Sequence, residues 1–380
     1  MRIAYNALFL TRPFSGTGQY TAQFLRAIVK ALPDAEHIAY VPRPVDLELP
    51  EVLKVEVVPQ SRSMLSPFIG YDYWERCDIG QAAQKRDVDV FHALYPTPPV
   101  KTNAPVVMTV HDMITWKLPQ YRKKLRSRVK LGRILDGIKE ADHLCAVSQT
   151  TKDEAVQIAT IPPERITVTY EGLGQVFDKR TSPAQVRAAK QKQGLLRPYI
   201  FYIGGYDYRK NVRSLIRAFA QSGLAKTHDL VLAGAVTARK TRLYEDFQKL
   251  PEIIESAGVT KQTKTLGFLS EEEKKALLCG ADAFIWPSLA EGFGLPVLEA
   301  LAMGVPTAAS DIPSTKELFA EAVVLFDPST EAAMATALKE VTSKKHTELK
   351  KAGKRLATKY NWEDTSQKTA EVYEKLTRRS

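Results

Sequence analysis

The chain has 380 residues, of which 44% are hydrophobic and 26% charged. This length suits two domains, and the composition excludes collagen-like, disordered and disulfide-scaffold proteins. No apolar run reaches the roughly 18 residues of a membrane span, and three dispersed cysteines predict a reducing, cytoplasmic location. Because 54 basic residues outnumber 43 acids, the net charge of +11 favours phosphorylated molecules, nucleic acid or anionic lipid as partners.

Short apolar runs alternate with longer helical patterns along nearly the whole chain. This alternation predicts an α/β fold, with two doubly wound Rossmann-like domains that bind a ligand in the cleft between them. In the first half, strands are predicted at residues 1–8, 37–42, 54–58, 88–94, 105–111, 143–147 and 166–170, and helices at 19–32 and 120–140. In the second half, strands are predicted at residues 199–204, 229–233, 263–266, 283–287, 306–309 and 322–326.

A glycine-bearing and then polar stretch over residues 171–197 separates the two series. Within it, Ser182-Pro183 is suited to cap and open a helix. We therefore predict domains at 1–178 and 179–360, with an amphipathic C-terminal helix over 361–380 that packs back toward the first domain.

The most informative segment is WPSLAEGFGLPVLEALAMGVP, residues 286–306. A strand leads through Gly292 and Gly294 into a helix, whose free N-terminal amides attract anions. Glu291 and Glu299 flank this turn eight residues apart, a placement that suits hydrogen bonds to sugar and ribose hydroxyls. Spacing alone equally permits a turn whose glycines serve packing and whose glutamates are solvated.

Two further strand ends carry polar residues. The segment YIFYIGGYDYRKN, residues 199–211, leads from a strand through two glycines into a helix that is predicted to begin with Arg209-Lys210. Fixed cations at this turn could neutralise a diphosphate, although solvated surface charges are the plainer interpretation. The strand VVMTVHD, residues 106–112, ends at His111, which could orient a sugar hydroxyl or simply bind local backbone.

Two other motifs are weaker. The loop SGTGQY, residues 15–20, offers Gly16 and Gly18 as backbone contacts for a phosphate, but a short glycine loop is more often only a turn. Asp87 and Asp89 form an Asp-x-Asp pattern that elsewhere holds a metal-bound diphosphate. Here the pattern runs directly into a strand, so no metal site is predicted.

Residues 286–306 closely resemble the Glu-x7-Glu signature of the retaining glycosyltransferases of family four, which have the two-Rossmann GT-B architecture. The resemblance extends to the Arg-Lys-Asn segment at 209–211, the Thr-Val-His-Asp segment at 109–112 and the glycine loop. This chain departs from the family at Gln19, at Gly205 and at Glu171, where many members have Arg, Arg and Asn.

The resemblance implies roles for the site residues. Glu291 and His111 would contact the transferred sugar, Glu299 the ribose, and Arg209 and Lys210 the diphosphate. The donor would also meet the backbone of five further residues: Gly16, Gly18, Phe293, Gly294 and Leu295.

We accordingly predict a retaining, metal-independent glycosyltransferase without a cofactor. It would move a mannose, glucose or N-acetylglucosamine-type sugar from a nucleotide diphosphate sugar to a hydroxyl of a glycan or lipid-linked saccharide. The alternatives are a sugar-nucleotide epimerase of the same fold and a non-catalytic protein that binds nucleotide sugar or nucleic acid. No nucleic-acid recognition motif is evident in the sequence.

A basic run occupies the second predicted helix. Residues 122–133 contain seven lysines and arginines and no acid. Such a run is most often a solvated helix face, but clustered cations also bind anionic lipid headgroups. Peripheral association with the inner face of a membrane is therefore a hypothesis.

Overall fold

The structure, a computed structural model, describes residues 1–62, 67–234, 249–343 and 347–378, with residues 67–69 described by their backbone only. The chain forms two compact units, which run over Met1–Gly172 with Asn361–Ser380 and over Leu173–Tyr360. Each unit is built on one sheet of parallel strands, as the alternating sequence pattern predicts. Within the described ranges, no helix combines the length and the apolarity that crossing a bilayer requires.

The first unit contains a seven-stranded parallel sheet in the order β3-β2-β1-β4-β5-β6-β7. Its strands are β1 (Arg2–Asn6), β2 (Glu36–Val41), β3 (Leu53–Val57), β4 (Val90–Ala93), β5 (Val106–Val110), β6 (His143–Ala146) and β7 (Ile166–Val168). Its helices are α1 (Gly16–Ala31), α2 (Pro67–Tyr73), α3 (Ile79–Lys85), α4 (Ile114–Lys117), α5 (Leu125–Glu140) and α6 (Gln149–Ala159). Strands β4 and β6 are buried at every residue, as expected for a sheet covered on both faces.

Two helix starts in this unit differ from the prediction. Helix α1 begins at Gly16, three residues early, because the Ser15 hydroxyl accepts a hydrogen bond from the Gly18 amide and caps the helix. The basic helix α5 begins only at Leu125, after a separate turn at Pro119–Arg122, because Leu118 and Lys124 adopt extended backbone conformations.

The C-terminal helix belongs to the first unit. In the order of the described helices it is α15 (Trp362–Thr377), and Asn361 caps its N-terminus. Trp362 meets Tyr20 of α1 edge to face, with ring centroids 5.3 Å apart. The Tyr373 hydroxyl lies 2.5 Å from Nδ1 of His92 in β4, so a polar contact joins this helix to the middle of the sheet.

The second unit contains a six-stranded parallel sheet in the order β10-β9-β8-β11-β12-β13. Its strands are β8 (Tyr199–Ile203), β9 (Asp229–Ala233), β10 (Thr263–Gly267), β11 (Ala283–Trp286), β12 (Thr307–Ser310) and β13 (Val324–Phe326). Its described helices are α7 (Pro183–Lys192), α8 (Val212–Ser222), α9 (Leu250–Ser256), α10 (Glu271–Cys279), α11 (Leu295–Ala302), α12 (Pro313–Phe319), α13 (Glu331–Val341) and α14 (Thr347–Ala357). Helix α7 opens as predicted, with Ser182 and Gln185 forming a capping box.

Strand order decides where this unit can bind a ligand. The order in which strands are added to the sheet reverses between β8 and β11. These two parallel strands are neighbours although 79 residues separate the end of β8 from the start of β11. In doubly wound sheets, ligands bind beyond the carboxyl ends of the strands at such a switch point. The loops that follow β8 and β11 therefore form the expected site.

Candidate functional site

The turn after β11 is built around one glycine. Gly294 has φ of 106°, a conformation that residues with a side chain rarely adopt. The chain then enters α11 at Leu295, with Pro296 in its first turn, where the missing proline N–H costs no hydrogen bond. The predicted helix after the glycine turn is confirmed, and its N-terminus lies at the switch point of the sheet.

Phe293 anchors this turn from inside the unit. Its side chain is buried and meets the rings of Phe319 and Tyr360 edge to face, with centroids 6.0 and 5.5 Å apart. Since the ring is used in packing, a ligand at this turn would meet the backbone of Phe293 rather than its side chain.

Glu291 forms an ion-pair cluster with the two basic residues that follow β8. Its Oε1 lies 2.6 Å from Nζ of Lys210, and its Oε2 lies 2.7 Å from Nη1 of Arg209. Lys210 also lies over the Trp286 ring, with Nζ 4.1 Å from the centroid. Lys210 and Glu291, 81 positions apart in sequence, meet because β8 and β11 are adjacent.

Local backbone geometry brings the cations to this position. The prediction that a helix begins at Arg209-Lys210 is wrong: both residues lie in a short 3-10 turn, and α8 begins at Val212. The break occurs at Asn211, which has φ of 54° and donates its side-chain amide to the Pro328 carbonyl, 2.9 Å away. A second link joins the two loops, since the Leu289 amide donates to the Arg209 carbonyl at 2.7 Å.

The charged groups of this cluster shift one another's pKa values. Burial raises the pKa of the Glu291 carboxyl, but Arg209 and Lys210 outweigh burial and lower that pKa to about 2. Burial and the neighbouring Arg209 lower the pKa of Lys210, while Glu291 opposes them. Asp207 lies 3.7 Å from Nε of Arg209, so the four side chains have a formal charge of zero. A diphosphate would therefore have to replace a carboxylate at Lys210 or Arg209.

Glu299 has a different partner. Its Oε1 lies 2.6 Å from Nζ of Lys274 on α10, and the same nitrogen lies 2.8 Å from Oε2 of Glu271. Burial raises the pKa of Glu299 to about 7, although Lys274 opposes the shift. Among the residues that the structure describes, the buried Oε2 of Glu299 has no hydrogen-bond partner.

Lys274 is a residue that the sequence analysis missed. The stretch of three acids and two lysines at 271–275 has the composition of a solvated helix start, yet Lys274 is only 5% exposed. The signal was its spacing from Leu277 and Leu278, which are fully buried three and four residues later on the same helix. Lys274 therefore shares the buried face of α10.

In the first unit, His111 follows β5 and is held by the backbone. Its Nε2 lies 2.9 Å from the Leu94 carbonyl, an oxygen that only accepts, so Nε2 carries a proton. Its Nδ1 lies 3.5 Å from Oε1 of Glu171, and its ring meets Tyr20 edge to face at 4.5 Å. The local backbone bond weighed in the sequence analysis is present, and the side chain remains 16% exposed. Glu171, which in the sequence is only a departure from the family pattern, thus contacts the predicted site residue.

Gly16 and Gly18 occupy the first turn of α1. A Cβ at Gly18 would lie 2.1 Å from the Arg12 carbonyl oxygen, whereas a Cβ at Gly16 would meet nothing within 4 Å. Gly18 is thus required by close backbone packing, and its amide already donates to Ser15.

The Asp-x-Asp pattern lies at the opposite ends of the strands of this sheet from His111. Asp89 precedes β4 and accepts a hydrogen bond from the Arg2 amide at 2.6 Å, at the start of β1. It therefore lies at the amino ends of the strands, whereas His111 lies at a carboxyl end. Within the described ranges, no group of three or more His, Cys, Asp or Glu side chains is placed to hold a metal ion.

Comparison with protein families gives two matches that together span most of the chain. The family described as "Glycosyl transferases group 1" matches residues 186–359. The family described as "Glycosyltransferase Family 4" matches residues 14–173. The two matches fall mainly on the second and first units, respectively.

Similar proteins include two from Escherichia coli. "O-antigen chain mannosyltransferase B" is 29% identical over 71% of this chain and 70% of its own length. "Serotype-specific mannosyltransferase WbdA" is 27% identical over 62% of this chain, and the aligned part spans 29% of its length.

A solved structure shares the fold over nearly the whole chain. Anabaena Alr3699/HepE, solved in complex with UDP and glucose, matches with a TM-score of 0.74 and 18% identity, covering 98% of this chain and 99% of that one. This likeness confirms the predicted GT-B fold class.

Proposed function

Because the chain belongs to the family-four and group 1 glycosyltransferases, we propose that it transfers a sugar from a nucleotide diphosphate donor to a hydroxyl of a glycan or lipid-linked saccharide. We propose further that the reaction retains the anomeric configuration and needs neither a metal ion nor a cofactor. One observation carries this proposal: Glu291, Arg209 and Lys210 form one cluster beside the start of α11, at the switch point of the sheet.

The cluster suggests how the donor would be held. The diphosphate would replace Glu291 as the partner of Lys210 and Arg209, and the amides at Gly294 and Leu295 would face the same charge. Glu291, released from the lysine, would turn to the sugar hydroxyls, while Glu299 would accept hydrogen bonds from the ribose. The ligand-free ion pairs would thus be exchanged for donor contacts.

In the transfer step, the acceptor oxygen forms a bond to the anomeric carbon on the face that the nucleotide leaves. The bond from that carbon to the phosphate oxygen breaks, and the leaving phosphate takes the proton of the acceptor hydroxyl. Arg209 and Lys210 stabilise the charge that develops on the phosphate. Hydrogen bonds that the Glu291 carboxylate accepts from sugar hydroxyls would orient the sugar as positive charge develops at its ring.

The donor sugar is proposed from two findings. The relatives from Escherichia coli are named as mannosyltransferases, which favours mannose from a guanosine donor. The structure of Alr3699/HepE contains UDP and glucose, which keeps glucose or N-acetylglucosamine from a uridine donor as the second choice.

A thermal-shift panel of GDP-mannose, UDP-glucose and UDP-N-acetylglucosamine tests the donor first, since a ligand of the folded state raises its stability. Incubation of the stabilising donor with glycan and lipid-linked acceptors then tests transfer. Proton NMR of the fresh product reads its anomeric configuration, and assay with EDTA tests metal independence. An inverted product would overturn retention, and loss of activity restored by a divalent ion would overturn metal independence.

We also propose that the acceptor is met at an anionic membrane surface. Helix α5 exposes Leu125 and Val129 by 74% and 51%, four residues apart and therefore on one face. In the sequence, the seven cations of residues 122–133 lie before, between and after these two residues. Apolar side chains amid cations are typical of helices that lie in the headgroup region of anionic bilayers.

Co-sedimentation with vesicles tests this surface. We expect binding to phosphatidylglycerol vesicles that weakens with salt, little binding to phosphatidylcholine vesicles, and loss of binding in the Leu125→Ser/Val129→Ser variant. Leu196→Ser is the matched control, because Leu196 is 89% exposed in the other unit. Equal binding to both vesicle types would contradict the proposal.

A further inference from the structure

The two lysines of α10 are buried but serve different partners. Lys275 donates to the carbonyl of Val176 at 2.6 Å and also to that of Lys179, and so holds the turn Gln175–Asp178. Lys274, its neighbour, instead points its ammonium group at Glu299 and Glu271. One lysine therefore secures backbone, while the other secures the second carboxylate of the Glu-x7-Glu signature.

The position of Lys274 is constrained on several sides. Its ammonium lies 5.1 Å from the centroid of the Phe177 ring, and Phe177 is itself 6% exposed. The Ser270 cap and capping box fix the start of α10, one turn before Lys274. The packing and the two carboxylate partners hold the Lys274 ammonium group beside Glu299.

The contact leaves one oxygen of Glu299 for a ligand. Lys274 binds Oε1, and the buried Oε2 has no partner among the described residues. A buried acceptor without a hydrogen bond is costly, and a hydroxyl donor would satisfy it. Without Lys274, burial would favour the neutral form of the carboxyl, which is the weaker acceptor.

We infer that Lys274 is a positioning residue that holds Glu299 in the orientation needed to accept a ribose hydroxyl, and that it thereby sets the preference for ribose over deoxyribose nucleotides. This inference rests on the proposed function, because it assigns the ribose to Glu299. It adds a residue that touches no substrate but determines how the donor nucleotide is selected.

The test compares hydroxyl deletions in the ligand with side-chain changes in the protein. Isothermal titration measures the affinity for GDP or UDP, whichever the donor panel selects, and for its 2′-deoxy and 3′-deoxy forms. In the wild type, we expect the deoxy form that lacks the bound hydroxyl to bind about tenfold to a hundredfold more weakly, the worth of a hydrogen bond to a charged group. Lys274→Met should weaken ribonucleotide binding by about tenfold and bring this ratio toward one.

Two variants separate positioning from general damage. Lys275→Met also removes a buried lysine from α10, and it should keep the wild-type ratio even if the melting temperature falls. Lys274→Arg retains the charge and should restore part of the ratio. If Lys274→Met does not fold, Lys274→Gln serves instead, and its ratio should lie below that of the wild type.

The outcomes distinguish the inference from the function on which it rests. If the wild type binds both deoxy forms with the same affinity as the ribonucleotide, Glu299 does not bind the ribose and that part of the proposed function fails. If the wild type discriminates and Glu299→Gln does not, the proposed role of Glu299 holds. A Lys274→Met or Lys274→Gln variant that then keeps the full ratio would overturn the role of Lys274.

Discussion

Glu291 and Glu299 lie eight residues apart around one glycine turn, yet they have different numbers of cationic partners. Glu291 contacts two cations from the loop after β8, and its pKa falls to about 2. Glu299 shares a single lysine with a second carboxylate, and its pKa rises to about 7. Glu291 precedes the glycine turn, whereas Glu299 lies one helical turn after the start of α11. Each side chain therefore faces a different part of the unit.

This difference matches a division of labour across a nucleotide sugar. The two cations that contact Glu291 suit the phosphate, where charge develops in the reaction. A single orphan acceptor on Glu299 suits a hydroxyl, where no charge develops. Substitutions on the Glu291 side should therefore change turnover, and those on the Glu299 side should change affinity.

The largest effect is expected at Lys210. Lys210→Ala should lower kcat by about a hundredfold to a thousandfold, because the cation would meet charge that grows in the transition state. Steady-state kinetics with the selected donor measure the change. Lys316→Ala is the control, since Lys316 pairs with Asp311 while its side chain is 60% exposed. Normal kinetics in folded Lys210→Ala would remove Lys210 from the site.

The pH dependence of stability should have opposite signs for the two carboxylates. Glu291 titrates at about 2 in the fold against an ordinary 4.5, so its stabilisation is present above pH 4.5 and is lost as the pH falls toward 2. Glu299 titrates at about 7, so the fold loses stability as the pH rises from 4.5 to 7. Each change should be on the order of 3 kcal/mol.

Urea unfolding from pH 3 to 8 measures these changes. The difference in free energy of unfolding between the wild type and Glu291→Gln should increase with pH at the acid end of this range. The same difference between the wild type and Glu299→Gln should decrease between pH 4.5 and 7. The same sign for both variants would contradict the contrast between the two environments.

Donor affinity should depend on Glu299 more than turnover does. Glu299→Ala should weaken binding of the bare nucleoside diphosphate by about tenfold to a hundredfold, because a hydrogen bond between a hydroxyl and a charged acceptor is lost. Isothermal titration measures this loss. Glu272→Ala, which removes an exposed glutamate from α10, should bind normally. A loss confined to kcat would place Glu299 at the reacting sugar instead.

The smallest effect is expected where backbone supports the Glu291 side. The buried Ser314 hydroxyl donates to the Glu291 carbonyl at 2.9 Å, so Ser314→Ala should lower the free energy of unfolding by about 1 kcal/mol. Urea unfolding at pH 7 measures the change. Nucleotide affinity should stay within about twofold, since Glu299 is supported by a different helix. If Ser314→Ala lost more free energy of nucleotide binding than free energy of unfolding, the Glu291 and Glu299 sides would be coupled.

Local sequence patterns were sufficient to predict much of the secondary structure of this molecule. Alternating apolar runs predict all thirteen described strands, because a buried parallel strand needs a short β-prone run bounded by turn residues. Glycines and a helix-forming run predict α11 after the turn, and Ser182-Pro183 predicts the start of α7. These features depend on residues within one turn or one strand of each other.

What the local pattern missed depended on backbone detail or on distant partners. The first helix starts early because a serine caps it, and Arg209-Lys210 lie in a 3-10 turn because Asn211 is left-handed. Neither feature changes the apolar periodicity from which helices are predicted.

The amino-acid sequence by itself determined two α/β units, a glycine bend flanked by two glutamates and the family to which they point. Only the tertiary structure decided that Glu291 binds Lys210, 81 positions away, while Glu299 binds Lys274, and that Glu171 faces His111. The physical reason is that an ion pair depends on which strand ends and helices are neighbours. Strand order brings β8 beside β11 and burial then fixes the charge of each group, so no one-dimensional pattern specifies these contacts.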